Sequence, residues 1–126
     1  MIDAIDEMCK VWGSQKLYIL NGQQGWTPQS VIVRFREMRD GAGSRTERLT
    51  QFPEEGHLGE GLLIARAMVD APEALRAIVY VHYVIPRVRS KIKAQTLGLA
   101  IPEYWRYLDR AHYWIAARLP RESQAA

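Results

Sequence analysis

A chain of 126 residues that is 48% hydrophobic and 25% charged has enough apolar surface to build a core and is not a disordered chain. Its one cysteine, Cys9, rules out an intramolecular disulfide and a cysteine-based zinc site, and its apolar runs are too short for a membrane-spanning helix. The formal net charge of +3 is uneven: residues 1–70 hold eight Lys/Arg against ten Asp/Glu, and residues 71–126 hold nine against four, so a polyanionic partner is expected on the C-terminal side.

The N-terminal stretch MIDAIDEMCK is acidic and lacks the basic start and apolar run of a signal peptide, which predicts a cytoplasmic protein. Ile2, Ile5, Met8, Cys9 and Trp12 follow helical spacing, so a first helix is expected from Ile2 to about Leu20. Within it Gly13 is read as an end or a bend, Asn21-Gly22 as a stop, and Cys9 as a small packed apolar residue. Thr27 as N-cap and Pro28 at the first helical position open a second helix, with Val31, Phe35 and Met38 on its apolar face and an end at Asp40-Gly41. Residues 1–40 thus read as an N-terminal helical lobe.

Residues 41–61 hold five of the nine glycines and read as a long loop between two lobes. Glu54, Glu55 and His57 lie there. They could form a metal or acid–base site, but a solvated loop before a helix N-terminus is the favoured reading. A helix is expected from about Gly61 to Val69, broken at Asp70-Ala71-Pro72. Pro72 then opens a helix that continues through ALRAIVYVHYVI and is apolar nearly all round, which marks it as central to the core. His82, between Tyr80 and Tyr83, reads as a core or edge histidine with a hydrogen-bond partner.

The segment after Pro86 carries the functional signal. A short helix over 88–97, a tight Leu97-Gly98-Leu99 turn, and a longer helix from Pro102 to about Leu119 give the layout of a helix-turn-helix over 88–119, within a helical core of 62–119 and before a tail of 120–126. Tyr104, Tyr107, Leu108, Ala111, Ile115 and Leu119 form the inward stripe of the last helix, which leaves Glu103, Trp105, Arg106, Asp109 and Arg110 outside it. Arg87, Arg89, Lys91 and Lys93 put four positive charges on the first helix and its approach, with no acid among them, which suits a phosphate backbone. The DNA-contacting set is therefore Arg87, Arg89, Lys91, Lys93, Glu103, Trp105, Arg106 and Arg110, within a small all-α protein.

Residues 72–119 resemble region 4 of sigma factors: Leu97-Gly98-Leu99, Tyr104, Leu108 and Ala111 fall without gaps on its L-G-V…V…L…A framework. Lys93 departs from it, standing where an apolar core residue is usual, with Ile92 beside it, which would rotate the first helix. Over most of its length the chain resembles the zinc-free type of the lambdoid-phage antitermination protein Q family. The features are Val11-Trp12-Gly13, the Gly/Ser/Arg-rich middle, and IARAMVDAPEALRAIVYVHYV, in which Ala67, Pro72, Arg76, Val79, His82 and Tyr83 match a family block. This resemblance implies a phage factor in the bacterial host cell that binds double-stranded DNA near a late promoter. It would load onto RNA polymerase with sigma factor still present, and narrow the channel through which nascent RNA leaves, so that terminator hairpins do not form. Two other functions fit the residues: a helix-turn-helix repressor or activator, and a non-enzymatic nucleic-acid-binding interaction protein. With no phosphate-binding glycine loop, no paired histidine ligands and no nucleophile–base set, no enzyme, cofactor or metal is expected.

Overall fold

A computed structural model of the protein describes residues 1–24, 51–85 and 87–120. These residues form five α-helices and no strand, so the protein is all-α: α1 spans Asp3–Gln24, α2 Glu60–Met68, α3 Glu73–Val84, α4 Ser90–Leu97 and α5 Ile101–Arg118. The helix expected after Thr27-Pro28 and residues 121–126 of the tail lie outside the described residues, as do positions 41–50 of the expected loop.

In α1, Asp3 and Asp6 sit in the first turn, where carboxylates complement the helix dipole. Ile5, Met8, Cys9 and Trp12 are buried on one face, and burial pushes the Cys9 thiol well above its ordinary range. The helix neither stops nor breaks at Gly13, and it runs past Asn21-Gly22 to Gln24. A Cβ on Gly13 would lie 2.1 Å from the backbone carbonyl oxygen of Tyr83 in α3. This glycine therefore serves a close helix-to-backbone approach, and local sequence reads the two roles alike.

Trp12 is the centre of the core. Its ring is fully buried and stacked on Phe52, with centroids 4.5 Å apart, and on His57 at 5.9 Å. Tyr80 meets it edge-on at 6.3 Å. His57 is thus a core residue, only 3% exposed, and is not part of a solvated loop. Its Nδ1–H donates to Gln15 Oε1 at 2.9 Å, while Gln15 Nε2 donates to the Leu58 carbonyl at 3.1 Å. Glu54 pairs with Arg66 at 3.0 Å, and Glu55 is exposed. Among the described residues no cluster of His, Cys, Asp or Glu gathers around a candidate metal position.

α3 is buried on most of its circumference, as its sequence predicts, through Leu75, Ala77, Ile78, Val79, Tyr80, Val81 and Val84. Pro72 is its N-cap, one place earlier than expected. Helices α1 and α5 both pack on α3, and α1 shares one hydrophobic cluster with residues 64–119, so the described part of the N-terminal segment is built into that core. A part-buried polar chain fixes the register of the three helices. The Ile2 N–H donates to His112 Nδ1 at 3.1 Å, which leaves the proton of the neutral ring on Nε2. Nε2–H donates to Tyr83 Oη at 2.6 Å, and the Tyr83 hydroxyl donates to Asp6 Oδ1 at 2.7 Å. Lys10 Nζ closes the chain on Asp6 Oδ2 at 3.2 Å. Burial works to raise the Asp6 carboxyl, but the Tyr83 and Lys10 hydrogen bonds outweigh it and hold its pKa below the usual value.

Gly13→Ala puts a methyl group into the Tyr83 carbonyl and forces α1 away from α3. It should lower unfolding free energy by about 1–3 kcal/mol, read from the midpoint of urea denaturation at unchanged slope.

Candidate nucleic-acid interface

Between Arg87 and Arg118 most charged side chains are exposed, because the buried stripes of both helices pack on α3. In α4, Ala94 and Thr96 are buried, whereas Lys91 and Gln95, one turn apart, are exposed. The helix ends in a Schellman motif: Gly98 is left-handed at φ 72°, its N–H donates to the Gln95 carbonyl at 3.0 Å, and the Leu99 N–H donates to Ala94 at 2.9 Å. Two residues on, Ala100 caps α5, with Pro102 in its first turn. The expected helix over 88–97 starts at Ser90, with Arg89 as its extended N-cap and Val88 ahead of it.

In α5 the inward stripe is Tyr104, Leu108, Ala111, His112 and Ile115, followed by Leu119. Tyr107 is half-buried, and His112 joins the stripe through the polar chain to α1 and α3. Glu103, Trp105, Arg106 and Arg110 are exposed, and Asp109 is half-exposed. Trp105 is 39% exposed and held edge-on by the His82 ring, centroids 5.7 Å apart, and by Tyr104 at 5.3 Å. The Arg110 guanidinium sits 5.4 Å from the centroid of Tyr107. Tyr113, two turns beyond Arg106, extends the outward face and was not singled out by sequence, although its spacing from Arg106 and Arg110 marks it.

Of the four cations on the basic run, Arg87, Arg89 and Lys91 are exposed and Lys93 is not. Lys93 is 7% exposed, and its ammonium donates to the carbonyl of His82 at 2.8 Å. His82 lies in the last turn of α3, where carbonyls lack helical partners and a cation is favoured. The resemblance to the sigma framework suggested a rotated α4. Instead Lys93 keeps the inward position, satisfying a carbonyl where an apolar residue would stand, and Ile92 turns to solvent at 40% exposure. Lys93, expected as a phosphate contact, is instead buried and tied to the end of α3. Arg87 adopts φ 61°, an unfavourable conformation for a side chain other than glycine, so the backbone entering the basic run is strained.

Under this surface sits a titratable cluster. His82 Nδ1 and Tyr104 Oη share a hydrogen bond of 2.5 Å. Burial, reinforced by the Lys93 charge, pulls the His82 pKa from 6.5 to about 4. Burial also lowers Lys93 from 10.5 to about 8, and raises the Tyr104 hydroxyl above its ordinary value. His82 is thus neutral at pH 7.

Compared with known proteins, the chain matches no family model, no curated protein and no solved structure.

Between the folded pKa of His82 near 4 and its ordinary value of 6.5, the unfolded chain binds the extra proton more readily. Stability should therefore be complete above pH 6.5 and fall as the pH drops towards 4, by at most about 1.4 kcal/mol per pH unit for each such group. His57 and His112, also lowered chiefly by burial, act in the same direction. Urea midpoints measured across this range should decline, and His82→Gln should flatten the decline.

Proposed function

We propose that the protein is a sequence-specific DNA-binding transcription factor that uses α4 and α5 as a helix-turn-helix, with the outward face of α5 in the major groove. The observation that carries this reading is the division of α5: its inward stripe is fixed by the core, and the opposite side offers Glu103, Trp105, Arg106 and Arg110 to a partner. Arginine forms two hydrogen bonds to guanine O6 and N7, which suits Arg106. The aromatic ring of Trp105 packs on a thymine methyl or a sugar, and Arg110, one turn on, meets a phosphate. Arg87, Arg89 and Lys91 neutralise phosphates on the approach to α4.

The resemblance to the antitermination family takes the proposal one step further, to a phage late-gene antiterminator acting with bacterial RNA polymerase and sigma factor. Transcription in vitro from the cognate late promoter through a terminator tests it. Read-through that appears only with the protein present supports the antiterminator, and binding that blocks initiation without read-through supports a repressor.

Arg106→Ala should reduce discrimination between the cognate and a scrambled duplex by about 1–3 kcal/mol in competition binding, with the helical circular dichroism unchanged. Lys91→Ala should weaken all duplexes alike and lower the slope of log affinity against log salt by about 0.9. Lys93→Met should leave that slope intact and cost about 1–3 kcal/mol of stability, because the His82 carbonyl loses its donor.

A further inference from the structure

Trp105 stands beside the charged residues Glu103, Arg106 and Arg110 on α5, with part of its ring open to solvent and part covered. An exposed side chain of this size has several staggered orientations open to it, and only some of them point at a ligand. Two rings narrow the choice. Tyr104, its neighbour in the chain, meets it edge-on. Among the described residues, the ring that reaches it from another helix is His82, in the last turn of α3.

His82 is itself held from several sides. Its Nδ1 shares the hydrogen bond with Tyr104 Oη. The Tyr83 ring meets it edge-on, with centroids 4.7 Å apart, and the Tyr104 ring lies tilted against it at 5.7 Å. Its backbone carbonyl accepts from the Lys93 ammonium of α4. A ring fixed in this way does not follow Trp105, so Trp105 follows it. A side chain ordered in advance need not be ordered on binding, a step that weakens binding by about two- to twelvefold for each such side chain.

We propose that His82 is a positioning residue for the outward face of α5: its imidazole ring holds Trp105 in one orientation, and through Trp105 it sets how sharply the protein discriminates between duplex sequences without touching DNA itself. The selectivity rests on the helix-turn-helix reading given above, whereas the orientation of Trp105 does not.

The two roles of the side chain are separated by substitution. His82→Asn removes the ring but keeps an amide near the place of Nδ1 for the Tyr104 hydroxyl. His82→Phe keeps a ring and leaves that hydroxyl without its partner.

The test uses the full chain, isotope-labelled, with the χ1 rotamers of Trp105 read from three-bond NMR couplings and the indole signals of Trp12 and Trp114 as a control on the core. The parent should show one Trp105 rotamer. His82→Asn should average it with the Trp12 and Trp114 signals unmoved, and His82→Phe should restore the single rotamer despite a lower urea midpoint. Binding is then compared for a duplex selected by the parent from a random pool and for its scrambled counterpart. His82→Asn should narrow the discrimination by about two- to twelvefold, and His82→Phe should keep it. Adding His82→Asn to Trp105→Ala should narrow it no further than Trp105→Ala alone, as expected of a residue that acts through Trp105. A single Trp105 rotamer in His82→Asn would overturn the proposal, as would additive losses in the double variant, which mark a general structural role. If the parent selects no duplex, the helix-turn-helix reading and the selectivity that rests on it fail together, while the rotamer measurement still decides whether His82 positions Trp105.

Discussion

Tyr83 is held at both ends, and the relative placement of three helices follows from that. Its backbone carbonyl packs against the bare Cα of Gly13, and its hydroxyl donates to Asp6 and accepts from His112. Asp6 and Gly13 are seven residues apart, two turns on one face of α1, so both ends of Tyr83 address the same stripe. An apolar contact tolerates sliding, whereas this chain of hydrogen bonds is satisfied in one register only. Burial pushes the Tyr83 hydroxyl far above its ordinary value, so it remains a neutral donor at physiological pH.

The same constraint decides what reaches the surface. His112 is drawn inward by Tyr83 and by the Ile2 N–H, which fixes the rotation of α5 about its axis. With that rotation set, Trp105, Arg106 and Arg110 have only the outward side left. α4 is tied independently, through the Lys93 ammonium on the His82 carbonyl, while the Tyr104 hydroxyl on the His82 ring links α5 to the same residue. The end of α3 is therefore the platform on which both helices of the pair are mounted, and a lysine that looked like a phosphate contact is one of its fastenings.

The sequence made legible what depends on local pattern. The Leu97-Gly98-Leu99 turn, the stripe through Tyr104, Leu108, Ala111 and Ile115, and the all-round apolarity of α3 are properties of adjacent turns and hold as read. What it concealed depends on partners far along the chain. Gly13 looks like a helix end until the Tyr83 carbonyl is set beside it. Lys93 looks solvated because hydropathy carries no record of an unpaired carbonyl eleven residues earlier. His57 looks like a loop residue because its stacking partner, Trp12, lies in α1. The polar chain from Ile2 to His112 spans 110 residues and leaves no periodic signature. The exposed residues of α5 were recoverable for the opposite reason: once the inward stripe is known, the rest of the helix is found by subtraction.

Whether α5 reads bases or only follows charge is decided by selecting bound molecules from a pool of random duplexes at near-physiological salt and sequencing them. A short consensus should emerge, and it should weaken at adjacent positions in a Trp105→Ala protein that retains its overall affinity for DNA. A bound pool indistinguishable from the input at every salt concentration would contradict the account, leaving the outward face of α5 a solvated surface and the basic run an unspecific polyanion contact.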